Sequence, residues 1–111
     1  MDKTPTLHLR LKDETTGYGT RHAGRQLLTK CLNLLTAEPT KPLLVDWDGV
    51  PVISSSFADE FIGKLFVELG PLAFSACVQN TGMEALVRGI LDKAIMQRVF
   101  QTVTGKASVR A

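Results

Sequence analysis

The sequence predicts an α/β domain with a mostly parallel sheet of about three or four strands and three main helices, in the order β-α-β-α-β-α. Three observations carry this expectation. Short apolar or alternating runs recur along the chain, each bounded by turn residues. Each is followed by a longer stretch whose apolar residues return at helical spacing. Finally, 111 residues with 44% hydrophobic content supply one core and little for a second. Residues 1–101 are assigned to the domain, and 102–111, which are polar, small and unpatterned, to a flexible tail.

Taken in order, Thr6 to Lys12 alternates apolar and polar residues, the period of a strand with one buried face. Asp13 to Gly19 is polar, and Gly17 and Gly19 favour a backbone geometry that other residues resist, so the chain turns there. Thr20 can cap a helix over about 20–37, in which Ala23, Leu27, Leu28, Cys31, Leu32 and Leu35 form the apolar stripe until Pro39 and Pro42 end it. Leu43 to Trp47 reads as a central parallel strand covered on both faces. Beyond Gly49, Pro51 and three serines, Phe57, Phe61, Ile62, Leu65, Phe66 and Leu69 mark a second helix that stops at Gly70-Pro71. Ala73 to Val78 reads as a third strand, buried like the second, and Asn80 to Gly82 as a turn. Met83 to Phe100 is then the most amphipathic segment, with Met83, Leu86, Val87, Ile90, Leu91, Ala94, Ile95 and Val99 on its apolar face.

Composition excludes several classes of function. No stretch approaches the length of an apolar membrane span, and the start at Met1 lacks the layout of a secretory signal, so the expected location is cytoplasmic. The 13 basic residues are interleaved with 11 acidic ones, which leaves no stripe for nucleic acid or a lipid surface. Cys31 and Cys77 lie far apart inside apolar patterns and read as reduced core residues. Asp46 and Asp48 lack a third oxygen ligand at recognisable spacing, so turn formation explains them better than a metal, and no cofactor is expected. His8 and His22 read as surface residues with no nucleophile near them in sequence. No general base is evident, and the chain reads as a non-catalytic module.

Parallel sheets gather ligands at the carboxyl ends of their strands, where the turns Gly17 to Arg21, Ser54 to Ser56 and Asn80 to Gly82 all fall. Two of these turns carry candidate sites. Ser56, three residues before Asp59, has the pattern of a capping box at the head of the second helix. Gly17, Gly19, Thr20 and Arg21 open the first helix, whose amides and positive dipole end could hold a phosphate with Arg21 or Arg25 beside it. The plain alternative is a turn with solvated arginines. Asp59 and Glu60 are adjacent, so they point in different directions and suit the helix dipole better than paired acid/base chemistry. Trp47, Phe57 and Phe61 read as core.

The run from Val45 to Glu60, with Ser54-Ser55-Ser56-Phe57-Ala58-Asp59-Glu60 at its end, resembles the signature of the STAS-like family of uncharacterised bacterial proteins, distant relatives of anti-sigma factor antagonists. Gly17 to Arg21, Asn80 and Arg98 also resemble that family's layout, so the likeness spans about Leu7 to Arg98. In the antagonists a serine in this turn is phosphorylated by a partner kinase, which abolishes binding; by motif Ser56 takes that place, with Ser55 beside it. Ser54 stands where the antagonists carry Asp, and Phe57 where they carry Gly. The resemblance implies a regulatory protein-interaction domain with a histidine-kinase-type ATPase or related regulator as partner, docking through Ser54, Ser55, Ser56, Phe57 and Asp59 together with the second helix. The alternative is a small nucleotide- or phosphate-ligand sensor built on the Gly17 to Arg21 loop.

Overall fold

Three strands of four residues each, β1 (Leu7–Arg10), β2 (Leu43–Asp46) and β3 (Val78–Thr81), pair in parallel in the order β1-β2-β3. The structure, a computed structural model, describes residues 6–15 and 17–109, with side chains as far as Gln101. Met1 to Pro5, Thr16, and Arg110 and Ala111 of the expected tail lie outside the described residues. Leu7 is in register with Leu43 and Val78, and Leu9 with Val45 and Asn80. These rows face the core, where Leu9, Leu43, Val45 and Val78 are buried, whereas His8 and Gln79 on the opposite face are exposed and Leu44 is half-buried. With strands in sequential order, two right-handed crossovers must run along the same face. The central strand is thus covered on one face, not on both as its apolar composition suggests.

The first strand stops two residues short of expectation. Leu11–Glu14 forms a single helical turn, α1, closed by the Thr15 amide donating to the Leu11 carbonyl. Period-two alternation cannot distinguish the two outcomes, because Leu11 is fully buried in the turn as it would be in a strand. Helix α2 (Arg21–Ala37) is capped as the sequence predicts: Thr20 Oγ1 accepts from the Ala23 amide at 3.1 Å. Its buried face is Gly24, Leu27, Leu28 and Cys31.

The second predicted helix is one continuous run built from three pieces: α3 (Ser55–Ala58), a π-helical turn (Asp59–Gly63) and α4 (Lys64–Leu69). It lies between α2 and the last helix, α6 (Ala85–Val109), and touches both. Phe57, Ala58, Phe61, Ile62 and Leu65 are all buried there. Trp47 and Phe57 each set a ring against Phe61, with centroids 5.9 and 6.0 Å apart, so the centre of the core is aromatic.

The segment after Gly70 departs most from the sequence pattern. Pro71–Cys77, which contains most of the expected strand Ala73 to Val78, forms a helix, α5, with Pro71 in its first turn. The strand falls instead on Val78–Thr81, so Asn80 and Thr81 are strand residues and only Gly82, at φ 76°, belongs to the turn. An edge strand covered on one face needs few apolar side chains, which is why the polar Gln79-Asn80-Thr81 suffices. In α6, Val87, Leu91 and Ala94 are buried and Ile90 and Ile95 half-buried, but Leu86 is 60% exposed and off the expected stripe. The helical backbone continues to Val109, past the point where the apolar pattern ends.

Two expectations follow from this packing. A Cβ on Gly24 would sit 2.8 Å from the Phe57 carbonyl oxygen and 3.3 Å from the Phe61 amide nitrogen, both backbone atoms that cannot swing away. Gly24→Ala should therefore lower stability by about 1–3 kcal/mol despite alanine's better helix propensity, measured as a fall in urea midpoint; an unchanged or higher midpoint would show that α2 can shift freely. Burial, the largest influence, pushes the Cys31 thiol up to about 12, whereas Cys77 is half-buried at the core's edge. A thiol reagent at pH 8 should modify Cys77 in the native protein and Cys31 only on unfolding.

Candidate functional site

The three turns expected at one edge meet at the carboxyl ends of the strands. The Ser54 amide donates to the Tyr18 carbonyl at 3.0 Å, and the Tyr18 ring meets Phe57 edge-on at 5.9 Å, so the glycine loop is fastened to the serine turn. On the other side, Trp47 donates its amide to Thr81 and its indole Nε1–H to Asn80 Oδ1, each at 2.8 Å. Asp46 Oδ1 accepts from the Asp48 amide at 2.9 Å, and its other oxygen lies 3.6 Å from Arg10. Gly82 fits against that turn with no room for a side chain, since a Cβ would lie 2.9 Å from the Asp48 nitrogen. Both Asp46 oxygens thus already face partners within the protein. Among the described residues no group of three or more His, Cys, Asp and Glu could hold a metal ion.

Within the serine turn the structure corrects the cap. Ser54, in extended conformation, is the N-cap and accepts from the Phe57 amide at 3.0 Å, while Ser55 and Ser56 belong to the first helical turn. The capping-box pattern from Ser56 to Asp59 starts two residues too late, and the Asp59 carboxylate pairs with Arg98 and Arg21 instead. Ser55 is exposed and lines a small cavity of about 190 Å³ together with Ile90, Lys93, Ala94 and Gln97 of α6. Ser56 is half-buried, and Phe57 is fully buried, so it is a core residue and presents nothing to a partner.

Asp59 and Glu60 are the centre of an ion-pair cluster. Glu60 is only 2% exposed, with Oε2 accepting from Arg25 Nε at 2.9 Å and Lys64 Nζ at 3.1 Å, and Oε1 from Arg21 Nη1 at 3.2 Å. Asp59 accepts from Arg98 Nε and Nη2 at 2.7 and 2.9 Å, a bidentate pair, and from Arg21 Nη1 at 3.0 Å. The two carboxylates do diverge, Asp59 toward α6 and Glu60 toward α2, but Arg21 bridges both. Gly63 leaves space for the Asp59–Arg98 pair: a Cβ there would be 3.1 Å from Asp59 Oδ1. Of these residues the sequence marks Asp59, in the serine turn, and Arg21 and Arg25, beside the glycine loop, as candidates, and the structure turns both arginines onto internal carboxylates. Local spacing shows only that Glu60 and Lys64, and Arg21 and Arg25, each share a helix face; it does not join the two pairs and gives no sign of Arg98.

The glycine loop is a different case. Gly17 and Gly19 do not take positive φ, and nothing lies within 4 Å of where their Cβ atoms would be, so neither position requires glycine. Thr20 is engaged as a cap and Arg21 points its guanidinium at the protein's own carboxylates. The anion beside the start of α2 is therefore internal.

Burial disfavours ionisation of Glu60, but hydrogen bonds from Arg25, Lys64 and Arg21 outweigh it and hold the carboxyl below its ordinary value. For Asp59, burial is likewise outweighed by Arg98 and Arg21. Since both folded pKa values are depressed, the stabilisation is present above the unfolded carboxyl range, near pH 4, and is lost as pH falls through the folded values. Glu60→Gln should cost on the order of 2 kcal/mol at pH 7, the scale of charge-assisted hydrogen bonds, and should flatten the dependence of unfolding free energy on pH below about 4. A variant whose acid profile matched the parent's would show that Glu60 does not carry this stability.

Among the described residues no helix is long and apolar enough to cross a membrane. No curated protein and no solved structure matches the chain. A protein-family model does match, over residues 23–80, which span most of α2, β2, the serine turn and its helix, α5 and most of β3. The chain belongs to the family described as the STAS-like domain of unknown function, DUF4325.

Proposed function

We propose that the protein is a non-catalytic regulatory module that binds a partner protein through the edge formed by the serine turn and the face of α6 beside it. The observation that carries this reading is the position of Ser55. It is exposed at the carboxyl edge of the sheet, on a turn held rigid by the Ser54 cap and the Tyr18 hydrogen bond, and it opens onto the cavity bordered by Lys93 and Gln97. A rigid, exposed turn offers a partner a preorganised surface at little entropic cost. The helix that follows the serines is packed on both sides, so α6 replaces it as the second half of the proposed surface.

The same geometry bears on a phosphorylation switch of the kind the resemblance implies, with a histidine-kinase-type ATPase as the partner class. Ser54 is spent on the cap and Ser56 is half-buried, which makes Ser55 the serine a kinase reaches without disturbing the helix start. A phosphate there adds about −1.5 to −2 charge beside the amino end of the helix and opposite Lys93, where it is tolerated by the fold and changes what a partner meets. The nucleotide- or phosphate-sensor alternative draws less support, since Thr20 is spent on the helix cap and Gly17 and Gly19, with ordinary backbone angles and nothing packed against them, form no cradle.

A photocrosslinking amino acid placed at Ser55 should give a protein adduct in cells, and the same group at Gln79, on the open face of the sheet, should give none. No adduct from position 55, or equal adducts from both positions, would remove this reading.

A further inference from the structure

We infer that the partner meets this protein with an acidic segment, which docks on the cationic surface formed by Arg21 and Arg25 of α2 and Lys64 of α4. This rests on the interaction reading above and names the partner's chemistry. In the cluster around the π-helical turn, four cations surround two carboxylates, and the resulting surplus equals the net charge of the whole chain, +2. The charges are also sorted by depth. The side chains of Arg21, Arg25 and Lys64 are 53, 66 and 40% exposed, while those of Asp59 and Glu60 are 22 and 2% exposed. Seen from solvent, the cluster presents its positive side.

The arginines also keep donors to spare. Arg21 spends only Nη1 on the carboxylates and Arg25 only Nε, so other guanidinium nitrogens on both exposed side chains remain for an outside acceptor. Both are anchored to one buried carboxylate, Glu60, a turn apart on α2, which fixes their spacing before a partner arrives. A small anion is a poorer fit. The cleft next to Arg25 contains neither Arg21 nor Lys64 and is bordered by Glu14, whose charge faces Lys30. An extended array of three cations without an enclosing wall suits carboxylates spaced along a protein segment. Nucleic acid is disfavoured because Phe57, Phe61 and Trp47 are buried and Tyr18 is half-buried with its ring against Phe57, so no row of exposed rings accompanies the cations.

The test is fluorescence anisotropy of a short fluorescein-labelled Glu-rich peptide with the full chain. Binding should weaken at least about tenfold between about 50 and 300 mM salt, as screening of exposed charges requires. Arg25→Gln and Lys64→Gln should each weaken it about threefold or more, Arg25→Lys should retain most of it, and Lys41→Gln, at the opposite edge of the sheet, should leave it unchanged. Circular dichroism melts of each variant separate lost binding from lost folding. Absence of binding by the folded parent, equal loss with Lys41→Gln, or tighter binding of a single-stranded oligonucleotide that depends on the same residues would each overturn the inference. The crosslink at position 55 reports independently, so an adduct there without peptide binding removes the acidic partner and leaves the interaction module standing.

Discussion

Burying the carboxylate of Glu60 is the constraint around which the rest of the structure is arranged. An ionised side chain at 2% exposure is tolerated only where its oxygens are fully paired, and here the partners come from two different helices. Arg21 and Arg25 bring α2 against the π-helical turn, Lys64 closes the cluster from α4, and the neighbouring Asp59 fastens α6 through Arg98. Two glycines make the approach possible, Gly24 where the α2 backbone meets the turn and Gly63 beneath the Asp59–Arg98 pair. The wider turn follows the same logic. A π-turn accommodates an extra residue within a helix, and such insertions are frequent where a protein needs side chains aimed off the regular helical pattern. In this chain it lets two successive acidic residues serve two different neighbouring helices.

Much of the fold was legible because local chemistry and tertiary packing agree. Thr20 followed by an apolar stripe marked α2 to within a residue, and Gly70-Pro71 marked the end of the helix that follows the serines. What could not be read depended on partners distant in sequence. Arg21 and Asp59 are 38 positions apart and Arg25 and Glu60 are 35, so nothing local announces that these residues form one cluster. The displaced third strand has another cause. Apolar runs signal strands buried on both faces, whereas β3 is an edge strand in a sheet covered on one side, and Ala73 to Cys77 is equally compatible with a helix started by proline. In the serine turn the cap falls on Ser54, two residues before the expected Ser56, at the residue whose amide is bonded to the Tyr18 carbonyl of the distant glycine loop.

The sequential strand order also explains why the candidate site has the form it does. With both crossovers on one face, the helices form a single layer in which the helix after the serine turn is the middle member, flanked by α2 and α6. Its side chains are consumed by packing, and the surface beside Ser55 is supplied by its neighbours. The cationic side chains on α2 and the cavity next to α6 are thus two flanks of one element. Any change in how that helix sits would be felt at both.

Trp47 gives this arrangement a built-in optical reporter. It is the only tryptophan in the chain, it is fully buried, its indole is held by Asn80 of β3, and its ring rests on Phe61 within the π-helical turn. Its emission therefore samples the joint between the sheet and the helix that carries the acidic pair. A loosening of that joint by acid, modification or a bound partner would register in the unlabelled protein as a red shift, and each influence could be followed in real time on the same chromophore.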